Sequence, residues 1–551
     1  QHNTLSNDLS AAVMGQCCYG VSGPGPIYSA LRQLILDSAS GSVDLSVLRL
    51  NFDPSRQFHS VYRLGQALGE GSFGSVYSCT RRLTGEERAV KQLLKSRMKD
   101  GGSAVLTELE VLAKMDHPNV VKFFEFFEDN SAILAVTELC GQGDFSSLLH
   151  RGVTEEPVRL LYRDIMLGLA YCHSFGIVHR DLKFSNCVIS GGLDRATAKI
   201  IDFGLSALRR PENHEQEWLF EACGTAAFLA PEVIDRCYGE KCDCWSYGIM
   251  LVMQLLKGEH AFLDMSQSSS TGSAGWSARY DKLDEFLGKI REGHGEHKAM
   301  RLVRRLLRRA PDQRWSAQAA LKSSWLRPRC VRDQETKLLN LSDEDSKWLR
   351  RSLTGFTKLS HFDKTVLLMA SNVSSASCQP TELARRTSDI FMSTDEDQSG
   401  FLSQEEFQRA VVACGMQAGQ AQVQELWKAL DTSEDGRVTH SEWASATLDP
   451  AALETGAMAQ ELFAWLDFDR SGYVSLEELQ RLVPDTDASE VLAQNDLSKD
   501  GQLDFEEFTA LIHSIAQRRY ACDLDSDSCE ETQELSQEER GLDANLTQKK
   551  K

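Results

Sequence analysis

The sequence has no run of about 18 consecutive apolar residues, the length that a membrane-spanning helix needs. It also has no paired C-x-x-C motif, although 15 cysteines are scattered along its 551 residues. We therefore expect no membrane span and no zinc site of ordinary ligand spacing. Reduced, intracellular thiols fit this cysteine pattern best, and we expect a cytoplasmic protein.

Basic residues are scarce in the last third of the chain. Residues 381–551 hold 36 Asp and Glu against 14 Lys and Arg, and the whole chain has a net charge of −20. This imbalance suggests cation binding and argues against nucleic-acid affinity. Because 551 residues exceed what a single hydrophobic core usually organises, we expect a multidomain chain.

Residues 1–57 are rich in Gly and Ser, and we predict a variable, largely disordered extension there, with a short helix possible around Ala30–Leu36. A β-type pattern begins at Val61, and helical periodicity dominates from Glu155 to Trp325. Strands followed by helices predict an α+β, two-lobed domain over residues 58–326.

A glycine-rich segment with the pattern G-x-G-x-x-G-x-V opens this domain. Its glycines would let a hairpin backbone approach phosphate groups closely, although a flexible glycine hairpin without a ligand has the same pattern. Lys91 follows at strand-like spacing and would place an ammonium beside the α- and β-phosphates, while Glu108 in the next helical segment could hold it. Alternatively, the two form a surface salt bridge contributing at most about 1 kcal/mol. The residues of the glycine-rich segment are Leu68, Gly69, Glu70, Gly71, Ser72, Phe73, Gly74, Ser75 and Val76.

The deciding motifs are His179–Asn186, which reads HRDLKFSN, then Asp202-Phe203-Gly204 and Ala230-Pro231-Glu232, all in the required order. With them, residues 58–326 resemble the eukaryotic protein kinase superfamily. The resemblance implies transfer of the ATP γ-phosphate to Ser and Thr of proteins. Every catalytic position is present, which favours an enzyme over the alternative of a calcium-responsive scaffold with a catalytically weak kinase fold.

The resemblance also implies a role for each motif residue. Asp181 would orient the substrate hydroxyl and accept its proton, while Lys183 would contact the γ-phosphate. Asn186 and Asp202 would bind Mg²⁺ between the phosphates. Further residues that would contact ATP are Ala89, Lys91, Glu138 and Cys140, the last two in a predicted hinge, Glu138-Leu139-Cys140.

Three departures from the kinase pattern concern the surroundings of the catalytic residues. Phe184-Ser185 and Ala226-Ala227 replace the usual Pro-Glu and Pro-aromatic pairs, and residues 263–300 match the pattern poorly. No Ser, Thr or Tyr lies between Ser206 and Thr225, where Glu212, Glu215, Glu217 and Glu221 occur instead. Our hypothesis is that one of these carboxylates pairs with Arg180 in place of a phosphate.

Four twelve-residue segments of the acidic third match the EF-hand calcium loop, with oxygens at positions 1, 3, 5, 7 and 12 and Gly at position 6. One such loop is often a solvated turn, but four argue for calcium binding, with dissociation constants of about 10⁻⁷ to 10⁻⁵ M. We predict EF-hands over 385–420, 421–456, 457–485 and 486–517, followed by an acidic disordered tail over 518–551. The predicted calcium ligands are Asp395, Asp397, Ser399, Phe401 and Glu406; Asp431, Ser433, Asp435, Arg437 and Glu442; Asp467, Asp469, Ser471, Tyr473 and Glu478; and Asp496, Ser498, Asp500, Gln502 and Glu507.

Residues 327–384 are predicted to be a junction, in which 341–370 has the pattern of one basic amphipathic helix. Kinase, basic junction and four calcium loops in this order resemble the calcium-dependent protein kinases of plants and protists, over residues 58–515. The resemblance implies that calcium opens the calmodulin-like EF-hand domain, which is all-α, and that this domain captures the junction and relieves inhibition. A linker helix packed on the kinase is the alternative.

Three further expectations concern partners and location. Asp144 matches a family position that reads a basic residue upstream of the acceptor, so we expect basophilic protein substrates. We also expect no nucleic-acid partner, and we expect a monomer. Met14-Gly15-Gln16-Cys17-Cys18 looks like the start of an acylated family member. If translation begins at Met14, myristoylation of Gly15 and palmitoylation of Cys17 or Cys18 would associate the chain with membranes.

Overall fold

The structure is a computed structural model that describes residues 26–38, 57–71, 74–98, 102–150, 155–191, 196–209, 218–256, 280–288, 298–327, 343–374, 382–416, 418–467, 469, 471–483 and 485–520. The chain divides into two compact units: the first holds the residues up to Gln334 together with Ala376–Pro380 and Asp395–Leu402, and the second holds the other residues from Glu335 onwards. None of the helices in the described ranges is long and apolar enough to cross a bilayer.

The first unit begins with two helices and an antiparallel sheet in the order β1-β2-β3-β5-β4. Phe58, Tyr62, Val90, Phe124 and Val136 belong to one hydrophobic cluster that forms the core of this lobe. The elements are α1 Pro26–Ser38, α2 Phe58–Val61, β1 Tyr62–Gly71, β2 Gly74–Arg81, β3 Glu87–Leu94, α3 Ser103–Lys114, β4 Phe123–Glu128 and β5 Ala132–Glu138.

Helices dominate the rest of this unit, around a core that includes the buried side chains of Tyr162, Trp245 and Tyr247. Two short antiparallel ladders, β6 with β9 and β7 with β8, carry the segments between the helices. The predicted order of strands before helices is confirmed. The elements are α4 Ser146–His150, α5 Glu155–Ser174, β6 Ile177–Val178, β7 Cys187–Ser190, β8 Thr197–Ile200, β9 Ala207–Leu208, α6 Pro231–Ile234, α7 Lys241–Leu255, α8 Lys298–Leu306 and α9 Ala317–Leu321.

Beyond Glu335 the described elements are helices and two-residue strands that pair as β10 with β11 and β12 with β13. This is the helical, calmodulin-like arrangement predicted for the acidic third. The elements are α10 Asp343–Thr357, α11 His361–Ser374, α12 Glu382–Thr394, β10 Phe401–Leu402, α13 Gln404–Ala413, α14 Gln420–Leu430, β11 Val438–Thr439, α15 His440–Ala446, α16 Pro450–Leu453, α17 Gly456–Leu466, β12 Val474–Ser475, α18 Leu476–Gln480, α19 Asp485–Asn495, β13 Gln502–Leu503 and α20 Phe505–Tyr520.

The junction contains two helices, α10 and α11, which we call the connector; the prediction of one helix over 341–370 is wrong. The break follows from an N-cap, because the Ser360 hydroxyl accepts a hydrogen bond from the Asp363 amide at 3.1 Å. Just before it, the amides of Lys358 and Leu359 bond to carbonyls only three residues back, which tightens the last turn of α10. Ser360 followed by Asp363 is a helix-start signal that the sequence already carried.

Two described helices lie at the borders of the segments predicted to be disordered. Helix α1 contains the short helix predicted around Ala30–Leu36 and is longer than it at both ends, and its Leu31 is fully buried because α1 packs on α3. Helix α20 continues to Tyr520, past the predicted boundary at 518, and the Arg519 side chain is buried. The remaining residues of the predicted tail, together with Met14, Gly15, Cys17 and Cys18, lie outside the described residues.

Candidate active site and metal-binding loops

Lys91 on β3 lies between two carboxylates. Its Nζ is 2.5 Å from Oε1 of Glu108 on α3 and 2.6 Å from Oδ1 of Asp202, which follows β8. Burial opposes the charge on Lys91, but the two carboxylates outweigh it and raise the pKa of the ammonium. Lys91 therefore stays protonated over the physiological pH range and provides a fixed positive charge for phosphate oxygens.

Asp181, in the segment between β6 and β7, is held by three neighbours, of which Thr225 lies beyond β9. Its Oδ1 accepts hydrogen bonds from the Thr225 amide at 2.8 Å and the Thr225 hydroxyl at 2.6 Å. Its Oδ2 lies 2.6 Å from Lys183 Nζ, and Asn186 Nδ2 donates to the Asp181 carbonyl at 2.9 Å. The predicted base, phosphate-binding lysine and amide are thus brought together, and Thr225 joins them.

Asp243 on α7 fixes the backbone of this catalytic segment. The buried Asp243 carboxylate accepts hydrogen bonds from the His179 and Arg180 amides, each at 2.9 Å. This supports Arg180, whose φ of 66° is rare for a residue with a side chain. Sequence reasoning placed neither Asp243 nor Thr225 in the site.

Arg180 also anchors the segment that precedes Thr225. Its Nη1 is 3.2 Å from Oε2 of Glu221, and its Nε donates to the Leu205 carbonyl. The Tyr238 hydroxyl donates to the Glu221 carbonyl at 2.6 Å, which fixes Glu221 itself. The predicted pairing of Arg180 with a loop carboxylate is confirmed for Glu221, whereas Glu212, Glu215 and Glu217 lie outside the described residues.

The predicted nucleotide-binding residues that the structure describes lie on the sheet and in the segment that follows β5. Leu68–Gly71 belong to β1 and Gly74–Val76 to β2, while Ser72 and Phe73 lie outside the described residues. A Cβ on Gly74 would lie 1.7 Å from the Gln92 carbonyl oxygen on β3, so only glycine fits there. Ala89 pairs with Thr137 across β3 and β5, next to the predicted hinge.

Within the hinge, Glu138 and Cys140 have different surroundings. The Glu138 carboxylate is 2.9 Å from Lys199 Nζ and accepts a hydrogen bond from the Lys122 amide at 2.7 Å. Its side chain therefore stabilises the hinge, as does its amide, which donates to the Lys122 carbonyl at 2.9 Å. Cys140 is partly exposed at this position.

The donor set near Asp202 fits Mg²⁺, which prefers carboxylate and amide oxygens. The Ile201 amide donates to the Asn186 carbonyl at 2.9 Å, so Asn186 and Asp202 lie on adjacent segments. Asn186 uses its amide nitrogen to hold Asp181, which leaves its side-chain oxygen as the candidate metal ligand. Mg²⁺ would supply neutralisation of the phosphate charge when bound.

All four EF-hand loops have the same internal hydrogen bonds at their first position. The carboxylate of each first aspartate accepts from the amides of positions 5 and 6, as Asp467 does from Ser471 at 2.9 Å and Gly472 at 3.1 Å. The glycine at position 6 has a φ of 76° to 85° in each loop, a conformation that favours glycine. The other first-position residues with these bonds are Asp395, Asp431 and Asp496.

The last position of each loop is oriented by the residue three positions before it. In the third loop the Ser475 amide and hydroxyl both donate to Oε2 of Glu478 at 2.8 Å, forming a capping box at the start of α18. The same arrangement joins Ser403 to Glu406 and Thr439 to Glu442, and Asp504 accepts from the Glu507 amide at 2.8 Å. The glutamate that would bind calcium is thus pre-oriented by its own helix.

The loops fall into two groups that follow the residue at position 3. In the first and third loops, which have Asp there, one carboxylate oxygen from positions 1, 3 and 12 lies within 4.8 Å of the others. In the second and fourth loops, which have Ser433 and Ser498 there, the amides of these serines donate to the final glutamate at 3.0 and 2.9 Å, and the Asp469 amide of the third loop makes the same bond at 3.5 Å. Burial raises the pKa of the Glu442 carboxyl in the second loop to about 7, against the effect of these hydrogen bonds.

The connector is packed into the EF-hand helices along its apolar face. Helix α10 packs against α14 and α20, and α11 packs against α15, α17 and α19. Its buried residues include Leu349, Leu353, Phe356, Phe362, Val366 and Met369. Lys347, Arg350, Arg351 and Lys358 are exposed on the other face. This is the arrangement of an amphipathic target helix in an apolar groove.

The chain is similar to known protein families along most of its length. A model of the protein kinase domain matches residues 62–326, and a model of the EF hand matches 388–412 and 459–483. Calcium-dependent protein kinase 33 of Arabidopsis thaliana is 30% identical over 465 residues, which cover 82% of this chain and 84% of that protein. Calcium-dependent protein kinase 9 of the same plant is 29% identical over 515 residues (90% and 88%), and calcium-dependent protein kinase 2 of Zea mays is 28% identical over 471 residues (83% and 87%).

Proposed function

Because the chain belongs to the calcium-dependent protein kinase family, we propose that it transfers the ATP γ-phosphate to protein Ser and Thr residues when calcium binds its own EF-hands. The observation that carries this proposal is the pair of charge clusters in the kinase domain. Lys91 is 2.5 Å from Glu108, and Asp181 is fixed by Thr225 and Lys183. The phosphoryl transfer uses ATP and Mg²⁺, and Ca²⁺ regulates it.

The test is a phosphorylation assay on the full chain with a generic basic peptide, run in calcium and in chelator. We expect activity only in calcium, and Asp181→Asn should lower it by about 10² to 10⁴-fold, the usual contribution of a general base. If wild type and Asp181→Asn incorporated phosphate equally, the chain would be the alternative, a calcium-responsive scaffold.

We further propose that the connector inhibits the kinase until the EF-hand domain captures it. Support comes from the connector itself, whose apolar face is buried among EF-hand helices while the basic residues of α10 are exposed. A groove that opens on calcium binding would take up this face and shift the population towards the active state. Ending the chain just before Leu341 should therefore give calcium-independent activity. A truncated kinase that is silent with and without calcium would contradict this proposal.

For substrates, we propose a preference for a basic residue upstream of the acceptor. Asp144 is partly exposed at the start of α4, where its Oδ1 accepts a hydrogen bond from the Ser146 amide at 3.0 Å. A carboxylate held in this way offers a fixed negative charge to Arg or Lys. A peptide array should show enrichment for these residues that Asp144→Asn removes, and an array without enrichment would refute the preference.

For location and assembly, we propose a cytoplasmic monomer that, when translation begins at Met14, N-terminal acylation brings to membranes. The support is the sequence Met14-Gly15-Gln16-Cys17-Cys18, because two lipids give the stable anchoring that one does not. Mass spectrometry of the cellular protein should find lipid on Gly15 and on Cys17 or Cys18. Sedimentation of the full chain should give the mass of one copy, and a dimer would contradict the second part.

A further inference from the structure

Helix α1 is anchored to the kinase domain through the side chain of Glu128, at the end of β4. One Glu128 oxygen accepts a hydrogen bond from the Tyr28 amide at 2.9 Å, and the other lies 3.5 Å from the Ile27 amide. These amides belong to the first turn of α1, where backbone donors lack partners within the helix. Lys95 Nζ, 2.8 Å from Glu128 Oε1, balances the charge of this buried carboxylate.

Apolar contacts add to this anchor. Ile27 and Leu31 are 2% and 0% exposed, and they lie one turn apart on the same face of α1. The Tyr28 ring lies 5.7 Å from the ring of Phe126 on β4, measured between centroids. Ile27, Tyr28 and Leu31 thus form one buried stripe of α1 against the kinase domain. Burial of this stripe offsets the entropy cost of ordering the helix.

The contact reaches the start of α3, the helix that carries Glu108. A Cβ on Gly102, the N-cap residue of α3, would lie 2.8 Å from Ile27 Cδ1, so the two residues are in close contact. Helix α1 also packs along α3 itself. Because a helix moves largely as a rigid element, fixing the start of α3 constrains Glu108 in its second turn.

We propose that α1 is a positioning element that holds α3 where Glu108 pairs with Lys91, so that the kinase domain needs residues 26–38 for its full catalytic rate. Ile27, Tyr28 and Leu31 are positioning residues in this account, and Glu128 is their anchor. They act through the 2.5 Å pair of Lys91 and Glu108, and none of them belongs to the catalytic cluster. The role goes beyond calcium activation, because it concerns the N-terminal side of the kinase domain.

The experiment compares neighbouring alanine variants of the full chain at saturating calcium, ATP and peptide. Leu31→Ala removes a buried side chain, whereas Arg32→Ala changes an exposed one, and both leave good helix formers in α1. We expect kcat to fall about fivefold or more for Leu31→Ala, the lower end of couplings between sites. Arg32→Ala should keep the wild-type kcat. Leu31→Met should also keep most of the wild-type kcat, because methionine conserves the side-chain volume of leucine.

A double-mutant cycle separates positioning from a general loss of stability. If α1 acts through Glu108, Leu31→Ala should have little further effect on kcat in the Glu108→Gln background. If the same fold loss recurs there, or if Leu31→Ala lowers only the melting temperature while kcat stays within twofold, the positioning role is refuted. Rates are expressed relative to the wild-type chain, so this failure is distinct from an absence of kinase activity.

Discussion

At the scale of single residues, the catalytic segment shows how backbone and side chains are fixed together. Asp243 binds the amides of His179 and Arg180, and Thr225 binds the Asp181 carboxylate with both its amide and its hydroxyl. The motif letters predicted which residues carry the chemistry. They did not predict Thr225 and Asp243 as their supports, because those contacts join residues 44 and 63 to 64 positions apart.

The Thr225 hydroxyl should be required for the catalytic rate. A hydrogen bond to a charged group contributes about 1.5–3 kcal/mol, so Thr225→Ala should lower kcat about tenfold or more while the fold is retained. Thr225→Ser keeps the hydroxyl and should stay near wild type. Steady-state kinetics and circular dichroism of both variants check this, and equal rates for Ala and wild type would contradict it.

The Arg180–Glu221 pair should make activity independent of phosphorylation, because the pair takes the place of a phosphate in the segment before Thr225. The Glu221 side chain is 73% exposed, so solvent screening limits the contribution of the pair. We expect Glu221→Gln to lower kcat by at most about fivefold, with a smaller effect at high salt. Phosphatase treatment of wild type should leave calcium-stimulated activity unchanged, and loss of that activity would disprove the substitution of carboxylate for phosphate.

At the scale of elements, local signals predicted well and contacts over long sequence distances did not. The EF-hand loops follow their twelve-residue pattern because their hydrogen bonds are internal, as between Asp467 and Gly472. The break between α10 and α11 had a local signal at Ser360 that the apolar periodicity obscured. The docking of α1 depends on Glu128, 100 residues away from Tyr28, and no local pattern reveals such a partner.

The crossing of α10 and α20 at Gly355 provides a test of connector capture. A Cβ there would lie 2.0 Å from the Arg519 carbonyl oxygen, so Gly355→Ala should force the helices apart at a cost of about 1–3 kcal/mol. Without that contact, alanine would instead stabilise the helix by about 1 kcal/mol. We expect a lower melting temperature of the EF-hand domain and weaker calcium activation.

The control for this variant is Thr354→Ala, one position earlier on α10, where the side chain is only partly buried. Its melting temperature and its calcium activation should both stay close to those of the wild type. Calorimetry together with the ratio of rates in calcium and chelator measures both. A Gly355→Ala variant that is more stable than wild type would show that the two helices do not cross closely there.

At the scale of the whole molecule, the account requires that calcium binding to the EF-hand loops changes catalysis in the kinase domain. The acidic residues after 381 provide the calcium loops, and the buried apolar face of the connector provides the element that those EF-hands hold. Coupling of this kind is a shift between two populations, so it depends on a difference in affinity for the two states.

The most direct measurement is the initial rate of the full chain against free calcium concentration. We expect a steep rise centred at about 10⁻⁷ to 10⁻⁵ M, and a flat, low rate when Glu406, Glu442, Glu478 and Glu507 are all changed to Gln. A wild-type rate that is the same in chelator and in saturating calcium would contradict the account.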